Sequence, residues 1–400
     1  MSNQVFKKNF NQQEDISQEA IDAALKVLKS GRLFRYNNGE NEVGETAKLE
    51  VEFASYMGSK YCLACASCGS ALYLALKSIG VKVGDVVLCN SFTLAPVPGA
   101  LENSGAKVVL VEIESENYTI DLVDLETKAI ETKAKFLLLS HMRGHIVDMD
   151  KLMQICTRLN VKVIEDCAHT MGATWNGKKS GSFGIVSCFS TQTYKHLNSG
   201  EGGLLVTDDP KVISKAILYS GSYMLYDKHV SRPELSVFDE FKLETPNFSL
   251  RMDNLRAAIL RVQLKTLDTQ CQRWNERYAV VETILRTAKH LCCPKRHSKE
   301  GFVASSFQFS IENQSEDKIR EFLAAANQSG LVIKWFGEKK PAGFTSSYKT
   351  WQYLITNFNL TNTDNILSKL CDFRLPLTFS LDDCKCVATI IKNLSDEIFS

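Results

Sequence analysis

Near the middle of the chain, the apolar run around Val163-Ile164 ends in Glu165-Asp166-Cys167-Ala168-His169. Further on, Ser190 and Lys195 flank a turn, and Gly200-Glu201-Gly202-Gly203 follows. A carboxylate can hold or relay a proton, and a lysine amine can act as a base or add to a carbonyl. An acid at the carboxyl end of a buried parallel strand also sits where α/β sheets place ligands. Taken singly, each residue has an ordinary alternative: Asp166 as a helix N-cap or surface acid, Lys195 as a solvated side chain. A strand-end Asp, a Ser-x4-Lys and a glycine-rich turn together are much rarer than any one of them. Other constellations carry less. Cys62-x2-Cys65-x2-Cys68 runs from an apolar strand into a loop and lacks a well-spaced fourth thiolate, so no metal cluster is expected. His141-x3-His145 is interrupted by Gly144 and makes a poor helical zinc pair. Asp148-Met149-Asp150 reads as a helix cap.

Positioning these groups falls to short β-branched runs that alternate with helical patterns. Helices are expected over residues 17–30, closed by Gly31, and 46–57, closed by Gly58. Strands are expected over residues 60–64, 86–89, 108–113, 136–140, 161–165, 185–189 and 203–207, with helices at 98–104 and 149–159 among those between them. Apolar strands separated by helices imply parallel strands covered on both faces and joined by right-handed crossovers. From Met252 a long helical pattern looks like a connector, and beyond it the texture becomes that of a smaller unit. The expected fold class is α/β. A large domain over residues 1–250 carries a mainly parallel central sheet, and a smaller α+β domain over 251–400 begins with the connector.

Composition removes other classes. Lys and Arg number 47 against 46 Asp and Glu, a net charge of +1, so no electrostatic footprint for nucleic acid or an anionic membrane is present. The opening residues, MSNQVFKKNFNQQEDIS, lack the apolar stretch of a signal peptide. No apolar run approaches the ~20 residues of a membrane span. Thirteen cysteines without a secretion signal are expected as reduced thiols in a cytoplasmic protein.

The same residues carry a resemblance. SCGSALYLAL, HMRGHIVDMDKL, VIEDCAHTMGATWNGKKSGSFGIVSCFSTQTYKHLNSGEGGLLVT and NFSLRMDNLRAAILRVQLKTLD resemble the DegT/DnrJ/StrS sugar aminotransferases, pyridoxal-phosphate (PLP) enzymes of fold type I. Lys195 matches the lysine that holds PLP covalently and then moves protons. Asp166 matches the carboxylate that keeps the pyridine nitrogen protonated and so makes the ring an electron sink. His169 matches a position, often Gln, that reaches the phenolic oxygen, and Ala168 would pack flat on one ring face. For the phosphate, the resemblance points to the hydroxyl of Ser190 and to Ser67, Cys68 and Gly69. These three open a helix, where free N–H groups and the dipole favour an anion. Asn247 matches an Asn donated across a dimer interface to the neighbour's phosphate, which implies a homodimer with composite active sites. Two departures stand out. Ser-Cys-Gly-Ser replaces the usual Ser-Gly-Thr-Ala, and Leu94 follows Thr93 where relatives stack an aromatic on the ring; Phe92 could replace it only with a different backbone. His141 matches a histidine near the substrate, with a structural role as the alternative. Arg143 stands where relatives often have Tyr. The favoured reading is a solvated surface arginine, and the alternative is contact with a substrate carboxylate or phosphate.

The resemblance implies transfer of an amino group from glutamate or glutamine to a keto sugar, nucleotide-linked, in amino-sugar synthesis for lipopolysaccharide, another surface glycan or an antibiotic. Partners are then the sugar and the amino donor, with no nucleic acid and no membrane. One alternative is a PLP-dependent sugar dehydratase, whose relatives replace the lysine by His; here Lys195 is kept and His196 follows it. Another is a non-catalytic regulatory homologue, which would lack Lys195 or Asp166. The loops at 33–43 and 221–244, where acceptor specificity would lie, hold no motif that names the sugar.

Overall fold

Seven strands form the central sheet of the computed structural model, which describes residues 5–340, 346–354 and 358–400. They are β1 (Tyr61–Cys65), β2 (Val86–Asn90), β3 (Lys107–Val111), β4 (Phe136–Ser140), β5 (Lys162–Asp166), β6 (Val186–Ser190) and β7 (Gly203–Thr207). Their order is β1-β7-β6-β5-β4-β2-β3. Strands β2 to β6 pair in parallel, whereas β7 runs antiparallel to both β6 and β1. A parallel step needs a long crossover. Residues 191–202 instead double back, with Thr191 N–H donating to Gly202 O (3.0 Å) and Thr193 N–H to Gly200 O (3.1 Å).

Alternation along each strand buries both faces of the sheet. Leu137 and Leu139 of β4 join a cluster with Phe53, Val163 and Leu260, while Phe136 and Leu138 join the opposite one with Leu72, Ile164 and Phe238. Helices α1 (Gln18–Ser30) and α2 (Glu45–Met57) start and stop close to where their caps place them. Ser17 accepts from Ala20 N–H, and Gly31 and Gly58 take left-handed geometry (φ 68° and 70°). Helix α3 (Cys68–Ser78) follows β1 directly. The long pattern from Met252 is two helices, α4 (Asn254–Leu264) and α5 (Leu267–Leu285), because Thr266 leaves helical geometry at φ −112°.

A second, antiparallel sheet contains β8 (Leu291–Cys292), β9 (Ser306–Ile311), β10 (Lys334–Trp335) and β11 (Leu370–Arg374), in the order β8-β9-β11-β10. Its core includes Phe307, Phe309, Phe322 and Phe373. Two segments pack across residue 250. Phe6 and Phe10, in an arm ahead of α1, meet Phe379 edge-on at 5.0 Å within the core of this second sheet. Tyr348, Trp351, Leu354 and Leu360 instead lie in a cluster of the central sheet. Neither segment has enough apolar surface to bury itself, and each is covered by the other half of the chain. The thirteen cysteines are free thiols, most of them buried. Among the described residues, no helix is long and apolar enough to cross a membrane.

Candidate active site

Four of the five parallel strands end in a polar residue: Asn90 in β2, Ser140 in β4, Asp166 in β5 and Ser190 in β6. Within such a strand both faces are buried, so polar side chains belong at the last position, where crossover loops diverge and supply partners. Ser140 stands opposite Asp166 in register. Asn90 fastens the edge, its Nδ2 donating to Ser140 O (2.8 Å) and its Oδ1 accepting from Ser140 N–H (2.9 Å). Ser140 Oγ then donates to Asp166 Oδ2 (2.8 Å), Thr93 Oγ1 donates to Ser140 Oγ (2.8 Å), and Ala168 N–H donates to Asp166 Oδ1 (3.1 Å). Burial pushes the Asp166 carboxyl above its ordinary value despite these donors.

Lys195 lies in the doubled-back loop between β6 and β7. Gly202 lets the loop close, since a Cβ there would overlap Thr191 Oγ1. Gln263 of α4 clamps the loop at Asn198, accepting from its N–H (2.8 Å) and donating to its carbonyl (2.6 Å). The Lys195 amine stands 3.0 Å from His169 Nε2. Burial, with the Arg143 charge behind it, lowers the Lys195 amine to about 8. Burial and the Lys195 charge hold His169 well below its usual value. A neutral imidazole that faces the amine through Nε2 is an acceptor there, which assigns its proton to Nδ1.

Ser67, Cys68 and Gly69, at the start of α3, form one wall of a cavity of about 290 Å³. Asp166, Ala168, His169, Ser190, Lys195 and Leu94 form the rest of the expected lining, so the structure brings nine expected cofactor-site residues together. Ser67 caps α3 by accepting from Ser70 N–H (3.0 Å), and its backbone abuts β7 at Gly203, where any Cβ would overlap the Ser67 carbonyl. The donor set fits PLP. It offers an amine that gives up its proton near neutral pH, a helix N-terminus with hydroxyls for a phosphate, and a buried carboxylate. The two close hydrogen bonds to that carboxylate come from neutral donors, so a protonated ring nitrogen is an acceptable further partner.

Other expected residues fall elsewhere. Asn247 is outside the cavity and exposed, its Oδ1 accepting from Ser249 N–H (2.9 Å). His141 does not line this cavity; it is buried 3.3 Å from Glu165 Oε2, which places it behind the site. His141, Glu165 and Cys167 bring ligand atoms within 4.8 Å of one another. Glu165, however, is already engaged by the N–H groups of Gly181 (2.9 Å), Phe183 (2.7 Å) and Gly184 (2.6 Å). Arg143 is not a solvated surface residue. The turn after β4 takes it through φ 57° and under the second sheet, where it is buried with Nη2 3.0 Å from Asp372. Phe92 turns away to meet Phe336 edge-on (4.8 Å), which leaves Leu94 in the wall. Thr93, Ser140 and Gln192 also line the cavity and were not expected. Strand-end polarity, shared with Asp166, would have found Ser140.

The model of the DegT/DnrJ/EryC1/StrS aminotransferase family matches residues 14–392. A dTDP-3-amino-3,6-dideoxy-alpha-D-galactopyranose transaminase of Aneurinibacillus thermoaerophilus is 35% identical over 343 residues, 83% of this chain and 88% of that protein. The spore coat polysaccharide biosynthesis protein SpsC of Bacillus subtilis (strain 168) is 30% identical over 70% of each chain. Among solved structures, Helicobacter pylori PseC, an aminotransferase involved in the biosynthesis of pseudoaminic acid, has the same fold. Its TM-score is 0.83, with 18% identity, covering 98% of this chain and 100% of that one. With a family model spanning nearly the whole sequence and a relative 35% identical over 83% of it, this chain belongs to the DegT/DnrJ/EryC1/StrS family of PLP-dependent aminotransferases.

Proposed function

We propose that the enzyme transfers the amino group of glutamate or glutamine to a nucleotide-linked keto sugar, yielding an amino sugar for lipopolysaccharide, another surface glycan or an antibiotic. The names of the relatives support a sugar acceptor: one is a transaminase of a dTDP-linked sugar, and another serves spore coat polysaccharide biosynthesis. The observation that carries the reading is the Lys195 amine, 3.0 Å from a neutral His169, in one cavity with Asp166.

Bound in this cavity, PLP supplies a conjugated ring that draws electrons away from the carbon bearing the amine. Lys195 holds the cofactor and afterwards moves a proton with Nζ, while His169 accepts from Nζ and keeps it aimed. Asp166, fixed by Ser140 and Ala168, holds a proton on the ring nitrogen. Ser67, Ser190 and the N–H groups opening α3 bind the phosphate. Ala168 and Leu94 cover the ring and exclude water. The active unit in this reading is a cytoplasmic homodimer, with Asn247 of each chain reaching the partner's phosphate site; its exposure outside its own cavity supports that role. The dehydratase reading has no residue to stand on: His196 is buried edge-on against Trp274 (4.9 Å) and does not line the cofactor cavity.

The test combines cofactor trapping with product analysis. Borohydride should fix PLP to Lys195 alone. Mass spectrometry should detect an aminated product when a panel of nucleotide-linked and free keto sugars is offered with glutamate or glutamine. Trapping on another lysine, or no aminated sugar across the panel, overturns the proposal.

A further inference from the structure

Beyond Lys195 the site opens into a second cavity of about 280 Å³, whose wall includes Arg143, Lys334 and Arg374 together with Lys195. Three basic side chains thus face one space beside Lys195, and among the described residues that line it there is no Asp or Glu. They come from distant parts of the chain. Arg143 lies in the turn after β4, Lys334 opens β10 and Arg374 ends β11. Lys334 is paired with Asp372 in register, and Arg374 lies two residues on, so all three share one face of the second sheet.

Two of these cations are held in place. The Arg374 guanidinium lies 3.6 Å over the Tyr194 ring and donates to Asn11 Oδ1 (2.7 Å). Arg143 is fixed by Asp372 at 3.0 Å, and Asp372 also accepts from Gln308 Nε2 (2.5 Å). That carboxylate is therefore divided between these two partners and the charge of Lys334 opposite it. The crowding shows on the amines: burial and the Arg143 charge lower Lys195 to about 8 and Lys334 to about 7.

We infer that Arg143, Lys334 and Arg374 form a carboxylate-binding site that holds an acidic substrate with its reacting carbon at Lys195. The cavity shares Lys195, His169, Gln192 and Leu94 with the cofactor cavity, so an anion seated here is only a few bonds from the carbon that Lys195 serves. A dicarboxylate amino donor meets that condition, and so does a keto sugar bearing its own carboxylate. The inference rests on the transaminase reading for its substrates.

Glutarate, a dicarboxylate with no reacting group, is the probe, and calorimetry on the PLP-loaded protein is the measurement. Arg374→Gln and Lys334→Gln should each weaken glutarate binding by about tenfold or more. Lys334→Arg should keep most of the affinity, and Lys385→Gln, on an exposed helix face, should change nothing. On the wild-type protein, glutarate should bind at least about tenfold tighter than its neutral diamide, a comparison that needs no variant to fold. The half-reactions then assign the source. A raised KM for glutamate with kcat little changed marks the donor, and a raised KM for acidic acceptors alone marks the sugar. Equal binding of glutarate and its diamide, or glutarate affinity within about twofold of wild type in both Gln variants, overturns the inference. Glutarate binding needs no turnover, so it can succeed in a protein that aminates no sugar, and fail in one that does.

Discussion

Lys195 and Asp166 face one cavity with opposite responses to the same burial: the amine is driven toward neutrality and the carboxyl is driven to keep its proton. A neutral amine near physiological pH is a competent base and nucleophile. Because the charged form of Lys195 is the disfavoured one, the amine becomes neutral as pH rises through about 8, well below the ~10.4 of a free lysine. Labelling of the PLP-free protein with an amine-reactive reagent, followed by peptide mass spectrometry, should therefore reach half its plateau rate near pH 8 at Lys195, while exposed lysines are still mostly unreactive. A midpoint near that of the exposed lysines would mean that the site does not desolvate the amine. Asp166→Asn should leave the phosphate site intact and retain PLP, yet slow proton transfer by about a hundredfold or more, since a neutral amide cannot hold a protonated ring nitrogen. Stopped-flow absorbance of the donor half-reaction measures this. Retention of most activity would reduce Asp166 to a structural acceptor for Ser140 and Ala168.

At the scale of elements, the site depends on how closely strand and loop approach. Strand β7 touches the loop before α3 at Gly203, which pairs with both Cys65 and Ser190. Gly203→Ala would force β7 away from Ser67, costing about 1–3 kcal/mol of stability and loosening PLP. Thermal melting together with equilibrium dialysis of PLP checks this, and unchanged values for both would mean that the contact is slack. The expected strands and helices came out close to their observed bounds because caps and alternation are local signals. Gly31, Gly58 and the apolar runs each declare themselves within a few residues. Asp166 and Lys195 were legible for the same reason, helped by a dense motif. Arg143 is buried and not solvated because Asp372, from the second sheet, sits beside it, and nothing near it in sequence says so. Lys334 and Arg374 carry no local signal either, since their shared face is a product of strand pairing between distant segments. The break at Thr266 was hidden by an apolar period that continues through it.

For the whole molecule, the exposed Asn247 is where the proposed assembly would meet the fold. If it completes the partner's phosphate site, Lys195→Ala and Asn247→Asp should each be inactive alone and complement when mixed. Half of the randomly paired dimers would be mixed, each with one intact site of its two, giving about a quarter of wild-type turnover. The introduced carboxylate should also weaken PLP binding in the Asn247→Asp homodimer by repelling the dianionic phosphate. Activity no greater than the sum of the parents, or unchanged PLP affinity, would remove the cross-subunit role. The arm carrying Phe6 and Phe10 has a different consequence, one for biosynthesis. Its seat includes Phe379, and Phe10 also lines the cation-rich cavity. A ribosome makes the arm early and its seat late, so the nascent chain carries two unburied aromatic rings through most of its synthesis. Chains released without the helix Leu381–Ile398, which shares that core, should be clipped within residues 5–16 by a protease that spares the finished protein. A segment made long before its seat would then be among the last to become safe.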